Sequence, residues 1–370
     1  MIKKKILFIT PTFGRSGSEM LLLYMIKNMN FAKFEASIFS QHNGELIGEL
    51  PMDIKSFVAY KRSKKFLRKA FRKMLQIFKI NPLHYQLQKI QNEIQADFWY
   101  ANTIVNPGIY AFAKKMNIPV ITHFHELPAA YNHNTASEMQ GILENSRLFV
   151  GCSQSVCDKI KDMGATDVKL LYGFIDTKRI NLTCDKSVAR KQINLTDNDF
   201  VWAISGYTLL TKGIEFVIPL LKTLKSNAKI IWIGTEVDRG INFYVKETIK
   251  HHFKGKMIFL GEQKENYYDY LNCADAFLLL SREDAFPLVM LEAAYFGKPI
   301  VSFNSGGAKE FVDADMGYLI DSWRVEDLAD AMLKVEEQFA QFDSIKIKSK
   351  VKPFTVEYRG EEFENILAEV

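Results

Sequence analysis

Short apolar runs alternate with stretches of helical period along this chain, and the alternation occurs in two successive series. In the first, residues 5–10, 35–40, 98–101, 120–123 and 148–152 read as buried strands, and residues 20–29 carry the first apolar-periodic helix. In the second, the strand candidates are residues 200–204, 229–233, 257–260, 276–280, 300–303 and 317–320. A strand that is apolar throughout is covered on both faces, and a helix between successive strands makes the crossover that parallel pairing needs. The pattern therefore predicts an α/β fold of two doubly wound parallel sheets, each a Rossmann-like domain, with ligands held beyond the carboxyl ends of the strands. At 370 residues the chain exceeds what a single core usually serves, which agrees with two domains. The polar stretch 176–199 reads as the linker, and 354–370 reads as a terminal helix.

Composition narrows the function classes. Hydrophobic residues at 48% and charged residues at 25% supply two cores and argue against disorder, and the 28 phenylalanines read as core filling. Cys152, Cys157, Cys184 and Cys273 form no CxxC pair and no zinc-like spacing, which implies a reducing compartment. The run 6–10 is too short for a signal core, and no stretch is long and apolar enough to span a membrane, so a cytoplasmic location is expected. The Asn-Leu-Thr triplets at Asn181 and Asn194 then read as chance sequons.

The most informative segment is Ser281-Arg-Glu-Asp-Ala-Phe-Pro-Leu-Val-Met-Leu-Glu292-Ala-Ala-Tyr-Phe-Gly297-Lys-Pro299. It reads as strand end, loop, helix and turn, with Pro287 at the first helical position, Gly297 in the left-handed residue beyond the helix and Pro299 as a stop. The start of that helix lies at the ligand edge. Ala285, Phe286, Pro287, Leu288 and Val289 line it, all but Pro287 with a backbone N–H, and with the helix dipole those N–H groups suit a diphosphate. Asp284 stands in the loop and Glu292, eight residues on, about two turns into the helix, where carboxylates accept hydrogen bonds from hydroxyls.

This segment resembles the acidic E-x7-E motif of retaining GT-B glycosyltransferases of family 4, the group 1 glycosyl transferases, with Asp284 in place of the usual first Glu and Glu283 as the neighbour that fits if the loop is offset. Ser305-Gly306-Gly307-Ala308-Lys309-Glu310 is similar to the family's Gly-Gly loop, and Gly206-Tyr207-Thr-Leu-Leu-Thr-Lys212-Gly213 to its G-R-x4-K-G signature. Tyr207 stands where the family has Arg, and a phenol carries no charge for the departing phosphate. Either the helix start and Lys212 suffice there, or a further base such as Arg15 or Arg282 approaches. Gly14-Arg-Ser-Gly17-Ser-Glu19 resembles the glycine-rich loop of the first domain, and His123-Phe-His125-Glu126 the segment whose His contacts the donor sugar.

The resemblance implies a nucleotide diphosphate sugar as donor, a glycan or lipid-linked glycan as acceptor, retention of configuration and no cofactor or metal. It assigns His125, Asp284 and Lys212 to catalysis, Asp284 as a positioning group for the sugar, and Glu292 to the nucleotide ribose. Gly14, Gly17 and Gly206 join Lys212 and the 284–289 loop in holding the donor. It also implies two domains facing across a cleft, at 1–176 and 177–352, with 353–370 crossing back to the first. A role in cell-surface polysaccharide synthesis follows as an expectation. Two different classes stay open: a sugar-nucleotide-binding partner without turnover, and an epimerase or hydrolase of nucleotide sugars.

One feature lies outside those motifs. Residues 54–92 contain no Asp or Glu, while Lys61, Arg62, Lys64, Lys65, Arg68, Lys69, Arg72, Lys73 and Lys79 carry a positive charge larger than the net +5 of the chain. Leu67, Ala70, Phe71, Met74, Leu75 and Phe78 recur among them at helical spacing, so the segment from Lys61 to Lys79 reads as an amphipathic helix suited to an anionic membrane surface at the inner face of the plasma membrane. A solvated face beside an ordinary packed stripe accounts for the same pattern. With no recognised module beside it, nucleic acid is the poorer use of this charge.

Overall fold

The computed structural model of the protein describes residues 3–60, 81–237 and 240–370, so the basic segment from Lys61 to Lys79 lies outside the described residues. The described chain forms two compact units, one comprising the residues up to Gly173 together with Val356–Val370, the other Phe174–Thr355.

In the first unit seven parallel strands run β1 (Lys4–Thr10), β2 (Phe34–His42), β3 (Lys55–Tyr60), β4 (Phe98–Asn102), β5 (Val120–Phe124), β6 (Leu148–Gly151) and β7 (Val168–Leu170), in the spatial order β3-β2-β1-β4-β5-β6-β7. The central strands are apolar and buried on both faces, as a parallel sheet between helices requires. The two edge strands β3 and β7 leave no apolar run in the sequence because they are short and half polar. The first helix, Gly17–Asn28, begins three residues before its apolar run, since Glu19 folds back to accept the Ser16 N–H at 3.0 Å and secures the first turn. Packing is dominated by large aromatics: Phe8, Phe13, Phe39, Phe98 and Phe124 are all buried.

The helix Val356–Ala368 belongs to this unit. Its Phe363 meets Phe8 and Tyr100 at ring-centre distances of 6.5 and 5.7 Å, its Glu364 accepts from the Asn30 N–H at 2.7 Å, and Lys4 Nζ donates to its Ala368 carbonyl at 2.8 Å.

The second unit has six parallel strands, β8 (Phe200–Ser205), β9 (Ala228–Ile233), β10 (Met257–Gly261), β11 (Ala276–Leu279), β12 (Ile300–Phe303) and β13 (Gly317–Ile320), ordered β10-β9-β8-β11-β12-β13. The stretch read as a linker is built into this unit. Arg190, on the helix Lys186–Gln192, is buried against Asp275 at 2.7 Å and donates to the carbonyls of Cys273, Thr196 and Asp199, which uses its guanidinium as a clamp. Polarity alone misleads there because Lys186 and Arg190 both pair with Asp275 inside the unit.

Each sheet reverses its strand order once, between β1 and β4 and between β8 and β11. A doubly wound sheet opens a crevice at that reversal, because the neighbouring connections leave to opposite faces. The motif loops follow β1 and β5 in one unit and β8, β11 and β12 in the other.

Candidate active site

In the second unit, the loop after β11 leads into the helix Leu288–Tyr295. Pro287, expected as the first helical residue, is instead the cap one position before the helix, with φ −71° and ψ 118°. Its ring tolerates that φ, and the extended ψ turns the chain into the helix. The leading N–H groups of any helix lack an acceptor within it, and here the first of them, on Leu288, stands four residues beyond Asp284. Beyond the helix Gly297 has φ +68°, and a Cβ there would lie 2.7 Å from Ser344, so both conformation and space call for glycine.

Lys212 reaches this loop from the turn after β8 and pairs with the Asp284 carboxylate, which also accepts from Ser281 Oγ at 3.0 Å. Three glycines make that approach possible. Gly206 ends β8 at φ +136°. Gly213, at φ +77°, leaves no room for a Cβ, which would stand 2.3 Å from the Leu280 carbonyl. Gly307, whose Cβ would lie 2.2 Å from the Ala285 carbonyl, donates its N–H to the Asp284 carbonyl at 3.1 Å. The Gly-Gly loop is thus laid directly on the acidic loop, further tied by Ser305 Oγ to the Ser281 carbonyl at 2.9 Å.

Glu292 occupies a different environment. It is buried, and the Tyr267 and Tyr268 hydroxyls donate to its two oxygens at 2.8 and 3.2 Å, with Ser205 Oγ on the Tyr267 hydroxyl at 3.0 Å. Burial raises its pKa and the two phenols counter that rise. Tyr207 is 41% exposed. Arg282, one of the two bases considered as a substitute for the missing Arg, bonds Glu215 at 2.5 Å and stacks over Phe216 at 4.8 Å. Arg15, the other, pairs with Glu45 and Glu49 in the first unit. Both guanidiniums are held by carboxylates of their own unit.

In the first unit the loop after β1 carries Gly14 and Gly17. Neither has a positive φ, and nothing stands within 4 Å of a Cβ placed on Gly17. Glu19, the acidic member of this loop, is occupied twice, by Thr12 Oγ1 at 2.6 Å and by the Ser16 N–H. Its role in the described structure is to close the loop onto the helix.

At the end of β5, the imidazoles of His123 and His125 lie on the same side with ring centres 3.9 Å apart. His123 is fully buried, with Nδ1 at 2.7 Å from the Tyr100 hydroxyl and Nε2 without a partner; burial first, then the neighbouring His125, lowers its pKa well below the usual range. Burial likewise pushes His125 down to about 3, so both rings are neutral at physiological pH. His125 Nε2 lies 2.9 Å from Asn102 Oδ1, and its N–H bonds the Glu126 carboxylate at 2.8 Å. Among the described residues no three or more His, Cys, Asp or Glu side chains gather as a metal-binding group. Asn102, Thr103, Tyr267, Tyr268 and Ser281 bond the predicted residues; Ser281 opens the acidic segment and Asn102-Thr103 reads as a polar pair at a strand end, whereas no motif marks Tyr267 and Tyr268, whose contact with Glu292 is distant in sequence.

The comparisons with known proteins fit this arrangement. Residues 185–346 match the profile of the family described as glycosyl transferases group 1. N-acetyl-alpha-D-glucosaminyl L-malate synthase of Bacillus anthracis is 26% identical over 238 residues, which cover 62% of this chain and 61% of that relative. Alpha-galactosylglucosyldiacylglycerol synthase of Streptococcus pneumoniae is 25% identical over 275 residues, 70% of this chain and 72% of the relative. Among solved structures, Anabaena Alr3699/HepE in complex with UDP and glucose superposes with a TM-score of 0.83 at 19% identity, covering 99% of this chain and 100% of that one. Among the described residues no helix is long and apolar enough to cross a membrane. Residues 185–346 are therefore similar to the glycosyl transferases group 1, and the two parallel-sheet units have the GT-B fold of the solved neighbours.

Proposed function

We propose that the chain is a retaining, metal-independent glycosyltransferase of family 4 that moves a sugar from a nucleotide diphosphate sugar to a glycan or lipid-linked glycan acceptor, in the synthesis of a cell-surface polysaccharide. The observation that carries this reading is the Lys212–Asp284 pair beside an amide-rich helix start, with the Gly307 loop laid against it, all beyond the carboxyl ends of β8, β11 and β12.

In such a transfer the bond from the anomeric carbon to the diphosphate oxygen breaks, the sugar ring gains positive charge and the leaving phosphate gains negative charge. Lys212 supplies the cation for that phosphate, exchanging its Asp284 partner for phosphate oxygens, and the Ala285–Val289 loop adds backbone dipoles. Asp284, released from Lys212, accepts from a sugar hydroxyl. Glu292 keeps a free lone-pair position on each oxygen beyond the two phenols, which suits a pair of ribose hydroxyls. Gly14 and Gly17 give the loop after β1 clearance for a bound phosphate or sugar, and His125 meets the transferred sugar. The related synthases from Bacillus anthracis and Streptococcus pneumoniae, and the UDP and glucose bound to the Anabaena protein, support a sugar-nucleotide donor.

We further assign the protein to the cytoplasm, at the inner face of the plasma membrane, where Lys61 to Lys79 attract anionic lipid and bring the enzyme to a lipid-linked acceptor. The deciding experiment supplies UDP, GDP, ADP and TDP sugars with an acceptor mixture, with and without EDTA. Release of one nucleoside diphosphate coupled to glycosylated product, unchanged by EDTA and with the donor's anomeric configuration, supports retaining, metal-independent transfer. Free sugar or an epimerised donor identifies a hydrolase or epimerase instead. Tyr207 in the Arg position favours a second reading, a donor-binding partner subunit, which saturable nucleotide-sugar binding with no product identifies.

A further inference from the structure

The hydrogen bonds at the ends of β4 and β5 form a directed chain. Asn102 is fully buried, and its Nδ2 donates to the Ser18 carbonyl at 3.2 Å. A carbonyl oxygen only accepts, so the Asn102 amide has one orientation, with Oδ1 turned to His125 Nε2 at 2.9 Å. Oδ1 also only accepts, so the proton of the neutral imidazole resides on Nε2 and Nδ1 keeps its lone pair. Further bonds hold the two loops in that relation. The Thr103 N–H donates to the His123 carbonyl at 2.9 Å, and the Thr103 hydroxyl bonds the Glu126 carboxylate. Thr103 itself has φ +92°, a conformation a β-branched side chain resists and that the surrounding bonds sustain.

We infer that Asn102 is a positioning residue: anchored by the Ser18 carbonyl, it locks His125 in the Nε2–H tautomer and so presents Nδ1 as an acceptor for a hydroxyl of the transferred sugar. The tautomer lock stands on the first unit alone, whereas the sugar hydroxyl rests on the function proposed above. In the opposite tautomer the same ring would offer a donor at that place, so the lock decides which polar group His125 shows to a ligand.

The test is long-range proton–nitrogen NMR of the full chain labelled with 15N-histidine, the His125 ring assigned by its loss in His125→Gln. Wild type is expected to show an unprotonated Nδ1 and a protonated Nε2 at neutral pH. An Nδ1–H signature, or an average of the two, overturns the inference whatever the variants do. Asn102→Leu, checked by thermal melting, is expected to give the averaged signature, and a spectrum unchanged from wild type there also overturns it. In a donor assay Asn102→Leu is expected to lower kcat/KM by about tenfold, the size of one misdirected hydrogen bond; unchanged turnover with an altered tautomer removes the positioning role. The expected spectra from a protein that turns over no nucleotide sugar leave the lock standing and remove the transferase reading.

Discussion

The two sheet edges that carry the motif residues are built on opposite electrostatic plans. Beyond β8 and β11, charge meets charge: Lys212 pairs with Asp284, and the carboxylate of Glu292 is held by two phenols. Beyond β4 and β5 both imidazoles are kept uncharged by burial and bonded by Asn102 and Tyr100, and the Glu126 carboxylate beside them accepts from the His125 N–H and the Thr103 hydroxyl. The glycines differ in the same way. Gly213 and Gly307 are required by the protein's own packing, whereas Gly17 faces open space. One edge thus holds an internal ion pair, and the other holds two neutral imidazoles in directional hydrogen bonds. Under the proposed transfer, the ion-paired edge is the one that meets the phosphate on which negative charge builds.

The strongest way to break that contrast is to remove its cation. Lys212→Ala is expected to lower kcat by roughly 100- to 1,000-fold, the usual cost of losing one preorganised group that stabilises developing charge, whereas a loss confined to KM would show that Lys212 only binds the donor. Gly213→Ala comes next. Its left-handed φ and the contact with the Leu280 carbonyl should cost about 2–4 kcal/mol in denaturant unfolding. Gly17→Ala, by contrast, should be neutral or stabilise by up to about 1 kcal/mol while weakening donor binding in titration calorimetry. Equal destabilisation by the two substitutions would erase the distinction between the glycines.

Smaller still is Tyr267→Phe, which leaves Glu292 one phenol and should reduce nucleotide affinity by about fivefold, the worth of one hydrogen bond. The last effect is on stability against pH. His125 moves from an ordinary 6.5 to about 3 on folding, so in that window the unfolded chain takes up a proton that the folded one refuses. Stability should therefore fall as the pH is lowered from 6.5 towards 3. Glu126 and Glu292, raised by burial, work in the opposite sense above their ordinary range, so the His125 share is read as the slope lost in His125→Gln melts.

Much of the fold was legible because buried parallel strands announce themselves as apolar runs. All six strands of the second unit and the five inner ones of the first follow that rule, while β3 and β7, half polar at the sheet edges, do not. The loop of Asp284, the helix of Glu292 and the turn of Lys212 and Gly213 were readable from spacing and resemblance, since a capped helix start and a glycine turn are local features. Glu19 and Arg282 show the limit of such reading. Each occupies a motif position or a plausible place beside one, yet the first closes a helix cap and the second is held by Glu215 and Phe216.

The sequence by itself determined two parallel α/β sheets, the helix that follows Asp284 and the turn that carries Lys212, because hydrophobic period, proline and glycine act within a few residues. Only the tertiary structure decided that Lys212 meets Asp284 across 72 residues, that Glu292 is held by Tyr267 and Tyr268, and that Asn102 orients His125. Those pairings depend on which strand ends the sheet order brings side by side, and a parallel sheet sets that order through long-range crossovers that no local pattern records.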